Sequence, residues 1–320
     1  MRARGLRETA VRTRGGHSEN LVQQWKSGAS APRKDSSTCA GFSPSKTQGL
    51  KAFPRTIRIA ALKGPLFHGA VRILITTLTI WLAICFFASW AHAQVTFERI
   101  VNSAKEPQNW MTYQGDYAGW RFSALDQVNT TNAHTMTPKW VYQTGATGKL
   151  ETTPLVVDGI LYATAQDDRA FALDARTGRP IWMFQHPLPG DIRPCCGRVN
   201  RGLAILGDKV FMGTLDAHVI ALDAKTGNVI WDVIAADYRT GYSFTVAPLA
   251  VKGLVVIGVS GGEYGVRGFI DAYDAATGKR RWRFYTVPGP GEPGHETWEG
   301  DSWKTGGAPA WNTGDRKSVV

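Results

Sequence analysis

Polar and apolar residues alternate in short runs between Leu155 and Trp282, and one turn signal divides the runs at a nearly constant interval. FALDARTGRPIW (Phe171 to Trp182), IALDAKTGNVIW (Ile220 to Trp231) and DAYDAATGKRRW (Asp271 to Trp282) repeat almost letter for letter. Their tryptophans fall 49 and 51 residues apart, a period that belongs to propeller blades or solenoids. In the middle repeat, GLAILGDKVFMGTLDAHVIALDAKTGNVIW, the turn signals GD, DAH and DAKTG separate three strand-length runs, and the tryptophan opens a fourth. D-A-x-T-G predicts a β-turn in which Asp caps its own backbone and Gly takes a positive φ.

Four strands per repeat with no helix between them predict an all-β chain, a β-propeller of four-stranded blades. The β-branched alternation and the Gly and Asn turns exclude a helical solenoid, and a β-sandwich would not return to the same turn and tryptophan. Each repeat tryptophan is read as packing, docked between blades with its N–H on a backbone carbonyl. Trp140, in PKWVYQTG, reads as the last strand of a blade whose other strands come from elsewhere. Three whole repeats and two partial ones then form an arc with an open edge.

The first 93 residues have another character. VRILITTLTIWLAICFFASWAHA, from Val71 to Ala93, is apolar from Ile73 to Trp90 and ends on a small-x-small triplet, as a secretory signal peptide does. A membrane-spanning helix is the alternative, since about 18 apolar residues is near the minimum span. Residues 1–70 lack apolar periodicity and are rich in Arg, Lys, Ser and Gly, so they are expected to be a disordered leader or a start site placed too early. The closing GDRKSVV breaks the preceding composition, and residues 315–320 read as a foreign, adapter-encoded tail, which leaves residues 94–314 as the folded part.

This division removes the meaning of the +11 net charge. Of 37 basic and 26 acidic residues, 14 and 3 precede Gln94, leaving 23 of each beyond it. A basic balance confined to the leader is no argument for a nucleic-acid partner. It also leaves only Cys195 and Cys196, which are adjacent and, in an exported chain, tend toward oxidation. A bond between neighbours closes an eight-membered ring over a Cα separation of about 3.8 Å, below the ordinary disulfide range. Two free buried thiols are the alternative. No pair of histidines has transition-metal spacing, and no such metal is expected.

WMTYQGDYAGWRFSALDQVNTTN, GKLETTPLVVDG, CCGRVNRGLA, TVAPLAV, VSGGEYGVRG and TWEGDSWKTGGAPAW follow one another in the order found in the quinoprotein alcohol and methanol dehydrogenases. From Glu98 to about Gly314 the chain resembles that family of eight-bladed periplasmic propellers, of which it would supply roughly the first half. The resemblance implies pyrroloquinoline quinone (PQQ) as cofactor, with a Cys195–Cys196 disulfide on one face of the ring and Trp311 on the other. It implies Arg201 of the NRG triplet beside the reactive carbonyl, where a surface salt bridge would be the ordinary reading. Glu151, Thr245, Ser260, Gly261 and Gly262 would make rim contacts. Glu263 of SGGEYG would be a calcium ligand, on a loop taken to replace the D-A-x-T-G turn; a lone Glu in such a loop is otherwise simply solvated, and a lanthanide is not distinguished from calcium.

Trp298 and Trp303 are assigned to the blade core, and Glu299 and Asp301 to structure. The family's catalytic aspartate and its second metal ligand, the asparagine of a TGNP motif, are expected beyond Gly314. The implied reaction oxidises a small alcohol, with cytochrome c or another periplasmic protein as electron acceptor. The resemblance also admits a homodimer or a small subunit in the full-length protein, and a quinohaemoprotein with a C-terminal cytochrome c domain. A non-catalytic Trp-repeat propeller of the outer-membrane assembly type shares the turn but lacks the paired cysteines and the NRG and SGGEYG loops.

If the signal-peptide reading holds, the exported chain begins at Gln94. N-terminal sequencing of secreted protein checks this, and a retained segment from Ile73 to Trp90 would favour the anchor.

Overall fold

The computed structural model describes residues 76–77 and 95–315. The leader, the signal segment except Thr76 and Thr77, and the tail after Asp315 lie outside the described residues. Twelve strands form three four-stranded antiparallel sheets, each in simple meander order. The first holds β1 (Leu155–Val157), β2 (Ile160–Ala165), β3 (Arg169–Asp174) and β4 (Pro180–Gln185). The second holds β5 (Ala204–Leu206), β6 (Lys209–Gly213), β7 (His218–Asp223) and β8 (Val229–Ile234). The third holds β9 (Leu249–Val251), β10 (Leu254–Gly258), β11 (Phe269–Asp274) and β12 (Arg280–Tyr285). These are the blades the repeat predicts, with the fourth strand starting two residues before its tryptophan.

Successive side chains of a strand point to opposite faces, so a strand buried on both faces divides its residues between two neighbours. In the middle sheet Val210, Met212, Ile220 and Leu222 pack toward the first sheet. Phe211, Val219 and Ala221 pack toward the third. The two cores therefore lie between sheets, and β4, β8 and β12 carry the more exposed faces.

The repeated turn joins the sheets to one another. Asp223 Oδ1 accepts from Lys225 N, Thr226 N and Thr226 Oγ1, and Asp174 and Asp274 do the same in their own turns. Gly178, Gly227 and Gly278 take φ of 72°, 74° and 73°. Onto each turn comes the tryptophan of the preceding repeat: Trp140 Nε1 donates to Ala175 O at 3.1 Å, Trp182 Nε1 to Ala224 O at 2.9 Å and Trp231 Nε1 to Ala275 O at 3.2 Å. Trp182, Trp231 and Trp282 each sit opposite an alanine where the register of the last two strands shifts. Trp282 meets no such turn among the described residues and is 43% exposed. The segment around Trp140 docks as the repeat predicts but forms no strand.

A segment before the first sheet ties the three together along their first strands. Its helix α1 (Phe97–Val101) is capped by Thr96, whose Oγ1 accepts from Arg99 N. Val95 bridges to Gly207, Trp110 bridges to Val156 in β1, and the Tyr117 hydroxyl donates to Ala250 O in β9 at 2.6 Å. Arg99 pairs with Glu106 and with Asp158 of the β1–β2 turn, which holds both carboxyls below their usual range.

A Cβ on Gly227 would lie 2.7 Å from the Trp182 ring, whereas one on Gly253, with φ of 78°, would meet nothing within 4 Å. Gly253→Ala should therefore show only the left-handed backbone cost, about 1–2 kcal/mol. Gly227→Ala should add about 1–3 kcal/mol of overpacking. Urea unfolding of both variants checks this, and equal losses would mean that the docked indole does not require the glycine.

Candidate functional site

The segments that enter the first strand of each sheet lie side by side. Thr153 N donates to Arg201 O at 3.0 Å and Arg201 N donates to Thr245 O at 3.1 Å, so residues before β1, β5 and β9 form a main-chain staircase. Each step projects one polar side chain. Arg201 Nη2 lies 2.9 Å from Glu151 Oε2, and Arg201 Nη1 donates to Thr245 Oγ1 at 2.8 Å. Thr245 Oγ1 and Ser260 Oγ, both buried, are 2.9 Å apart. A guanidinium only donates, so Thr245 Oγ1 accepts from Arg201 and shares a second hydrogen bond with Ser260 Oγ beside the cleft.

That cleft, of about 190 Å³, is lined by Cys195, Cys196, Arg201, Thr245, Ser260, Gly261, Glu263, Pro309 and Trp311. Cys195 and Cys196 come from the β4–β5 loop, Ser260 to Glu263 from the β10–β11 loop, and Pro309 and Trp311 from the segment after β12. The Arg201 guanidinium carbon stands 5.4 Å from the Trp311 ring centre, and the indole is 48% exposed. Glu151 reaches the site through Arg201, and Gly262 packs against Pro309 behind it. The structure thus gathers every site residue that the sequence singles out.

Cys195 and Cys196 are free thiols here, with sulfurs 3.0 Å apart. Burial first, then the Cys196 sulfur and the Glu263 carboxylate, push the Cys195 thiol up to about 12. A thiol held protonated is a poor nucleophile and a poor metal ligand at neutral pH. Ligand atoms of Cys195, Cys196 and Glu263 lie within 4.8 Å of one another. For a hard cation only the Glu263 oxygens are suitable donors among the three. Glu263 rides a 3₁₀ turn (Gly262–Tyr264) between Gly261 at φ 114° and Gly265 at φ 68°. At Gly261 a side chain is excluded twice, because its Cβ would come 2.1 Å from the Gly241 carbonyl oxygen.

Two placements differ from the sequence reading. The SGGEYG loop joins β10 to β11, and this blade keeps its own D-A-A-T-G turn between β11 and β12. What the loop replaces is the short β6–β7 connection of the middle blade. Trp298 and Trp303 lie outside the blade core, in a strap from Thr286 to Asn312 that crosses the third sheet. The Arg267 guanidinium carbon lies 4.7 Å from the Trp303 ring centre and 3.8 Å from that of Tyr285. Glu299 and Asp301 are exposed on the same strap, Asp301 paired with Lys304.

The strap also holds Trp311 in place, a role that sequence reasoning missed. Gly268 N donates to Gly307 O at 2.7 Å and Gly307 N donates to Val266 O at 2.8 Å. A Cβ on Gly268 would come 2.2 Å from Ala308 O, one on Gly258 2.2 Å from Ala310 O, and one on Gly262 2.8 Å from Pro309 Cδ. Gly258 and Gly268 let the strap backbone touch the sheet, and Gly262 makes room for the Pro309 ring. The only signal in the sequence is their density, which does not say what lies against them.

The family model described as "Glucose/ethanol/alcohol dehydrogenase, beta-propeller domain", under the heading PQQ, matches residues 110–317. The chain belongs to the PQQ-dependent alcohol dehydrogenase family. Quinoprotein alcohol dehydrogenase PedH of Pseudomonas putida is 42% identical over 243 residues, which is 70% of this chain and 41% of that protein. The 1-butanol dehydrogenase (quinone) of Thauera butanivorans is 39% identical over 252 residues, 70% of this chain and 40% of that one. Among solved structures, the quinohemoprotein alcohol dehydrogenase ADHIIG of Pseudomonas putida superposes with a TM-score of 0.66 at 41% identity, covering 71% of this chain and 35% of that chain. A europium-containing methanol dehydrogenase superposes at 0.63 with 37% identity, covering 67% and 41%. The chain spans about two fifths or less of the length of these PQQ-family relatives. Family membership decides against the non-catalytic Trp-repeat scaffold.

Thr245→Val deprives Arg201 of an acceptor and leaves the buried Ser260 hydroxyl without its hydrogen-bond partner, which should cost about 1–3 kcal/mol in chemical unfolding. Adding Ser260→Ala removes the stranded group, so the double variant should be less destabilised than the sum of the two singles. Strict additivity would show that the hydroxyls do not form a coupled pair.

Proposed function

We propose that this chain supplies the first part of the cofactor site of an exported, periplasmic quinoprotein that oxidises an alcohol to an aldehyde. One observation carries the proposal: Arg201, Glu151, Thr245, Ser260, Glu263, Trp311 and the paired cysteines, drawn from separate loops of three sheets, meet at one cleft. The donor set suits PQQ. A flat acid with three carboxylates and an ortho-quinone needs an apolar surface to stack on and donors at its edge. Trp311 offers the first, and the Arg201 guanidinium with the Thr245 and Ser260 hydroxyls offers the second.

PQQ would supply the two-electron oxidant here, and a calcium or lanthanide ion would supply Lewis-acid polarisation. Glu263 would hold that ion through its carboxylate oxygens. Arg201, fixed between Glu151 and Thr245, would stand by the carbonyl that gains negative charge, and its orientation would need no rearrangement as charge develops. A Cys195–Cys196 disulfide would replace two thiols with a rigid platform that cannot ligate metal as thiolate. Arg193 to Gly202 would carry that platform while Asn200, bonded to Asp168 Oδ1 and Gly213 O, anchors the loop.

Oxidation to the aldehyde removes the alcohol's O–H proton and a hydride from its carbon, and a bound quinone would supply the two-electron oxidant for the latter. On this reading the base and a second metal ligand lie beyond Gly314. The partners on this reading are a small alcohol and a periplasmic electron acceptor such as cytochrome c. The reading also admits a homodimer or a small subunit in the full-length protein.

The 320-residue chain given PQQ and Ca²⁺ should show no dye-linked alcohol oxidation, since loss of a general base alone lowers rate by about 10²–10⁴. Extending it through the missing blades should restore turnover, and Glu263→Ala in the extended protein should abolish it. Mass spectrometry of the peptide around Cys195 and Cys196 should show the loss of two hydrogens. Robust turnover by the 320-residue chain would overturn the placement of the base, and thiols alkylatable without reductant would overturn the disulfide.

A further inference from the structure

Away from the cleft, the first two sheets bring His186, Asp216 and His218 together. His186 follows β4, Asp216 lies in the β6–β7 connection and His218 opens β7. His186 Nε2 is 2.9 Å from Asp216 Oδ2 and 3.0 Å from Oδ1, and His218 Nε2 is 3.7 Å from the same Oδ2. One ligand atom from each residue falls within 4.8 Å of the other two. A tetrahedral ion with bonds of about 2.0–2.1 Å needs donors roughly 3.3–3.4 Å apart, so only small adjustments are required. His186 and Asp216 are buried, while the His218 side chain is 21% exposed and leaves a route from solvent.

The surroundings are those of a metal centre. His218 Nδ1 lies 2.8 Å from Asp232 Oδ1, which turns the other ring nitrogen toward Asp216, the usual carboxylate–histidine support of a ligating imidazole. Thr214 Oγ1 donates to Asp216 Oδ1 at 2.6 Å, fixing the carboxylate with its Oδ2 turned toward both imidazoles. The fully buried Asp168 carboxylate shares this interior, held by Leu215 N at 2.6 Å and Asn200 Nδ2 at 3.0 Å. Among the described residues no Lys or Arg forms an ion pair with Asp168 or Asp216. The basic groups facing the Asp216 carboxylate are the His186 and His218 imidazoles, and an ion bound there would use the neutral form of both.

We propose that His186, Asp216 and His218 bind a divalent transition metal of the zinc class, with a fourth position for water. Imidazole and carboxylate donors suit Zn²⁺, Co²⁺ or Cu²⁺ over Ca²⁺. The ion would clip the end of β4 to the β6–β7 connection of the next sheet. That places it at the root of the loop bearing Cys195, Cys196 and Arg201. The spacing of the histidines gave no hint of this, because the ligands come from neighbouring blades.

The test is titration of the chelator-treated full chain with Co²⁺, followed by visible absorption and calorimetry, with Zn²⁺ as competitor. One Co²⁺ should bind per chain with the intense visible bands of low-coordinate cobalt, no thiolate charge-transfer band, and displacement by Zn²⁺. His218→Gln, at the most exposed ligand, should weaken binding at least tenfold. It should also abolish the rise in unfolding temperature that Zn²⁺ gives the parent chain. Cys195→Ser with Cys196→Ser should leave both readouts unchanged. Failure of the parent chain to bind Co²⁺, undiminished binding by folded His218→Gln, or loss of binding with the cysteine changes would each overturn the site. If His218→Gln does not fold, Asp232→Asn, which removes the support of His218 without removing a ligand, should weaken binding by a smaller factor, and no weakening would count against the proposal.

Discussion

Each docking tryptophan gives its only polar hydrogen to a carbonyl in the neighbouring sheet's turn, and that turn can receive the ring only because glycine closes it. The contact fixes the distance and the rotation between consecutive sheets. Once Trp182 lies on the turn at Ala224 and Trp231 on the turn at Ala275, the segments entering β1, β5 and β9 are brought into main-chain contact. Arg201 then lies between Glu151 and Thr245 because the sheets that carry them cannot slide. The site depends on this spacing more than on any one loop.

The consequence for electrostatics is that Arg201 is held at both sides by groups on other sheets. A guanidinium clamped this way is costly to leave unpaired and well placed to meet an anionic ligand. Burial acts in the opposite sense on Cys195, which favours the uncharged thiol. The cleft therefore presents one positive group, one carboxylate on a glycine-defined turn, and otherwise neutral surface.

The blades were legible in the sequence because their grammar is local. Asp, Thr and Gly within five positions specify the turn, and the tryptophan at a fixed offset specifies its docking partner. The site residues were legible through family motifs, since nothing local about Glu151 or Thr245 marks them as neighbours of Arg201. Long-range backbone contact was not legible. The course of the strap over Gly258 and Gly268, the position of the SGGEYG loop within its blade, and the places of Trp298 and Trp303 follow from which surfaces are free once the sheets have packed. The His186, Asp216 and His218 cluster escaped for the same reason, as its members meet only across two sheets.

The strap recognises the third sheet where side chains are missing. At Gly258 and Gly268 the fit is one of backbone against backbone, so the path of residues 307–311 is written into the sheet as a groove of hydrogen-sized side chains. Such a groove is indifferent to most of what the strap itself displays. The strap's outward residues, Trp311 among them, can then be exchanged as a set without re-engineering their support, and the wall of the cleft becomes a part whose chemistry and whose mounting are separable.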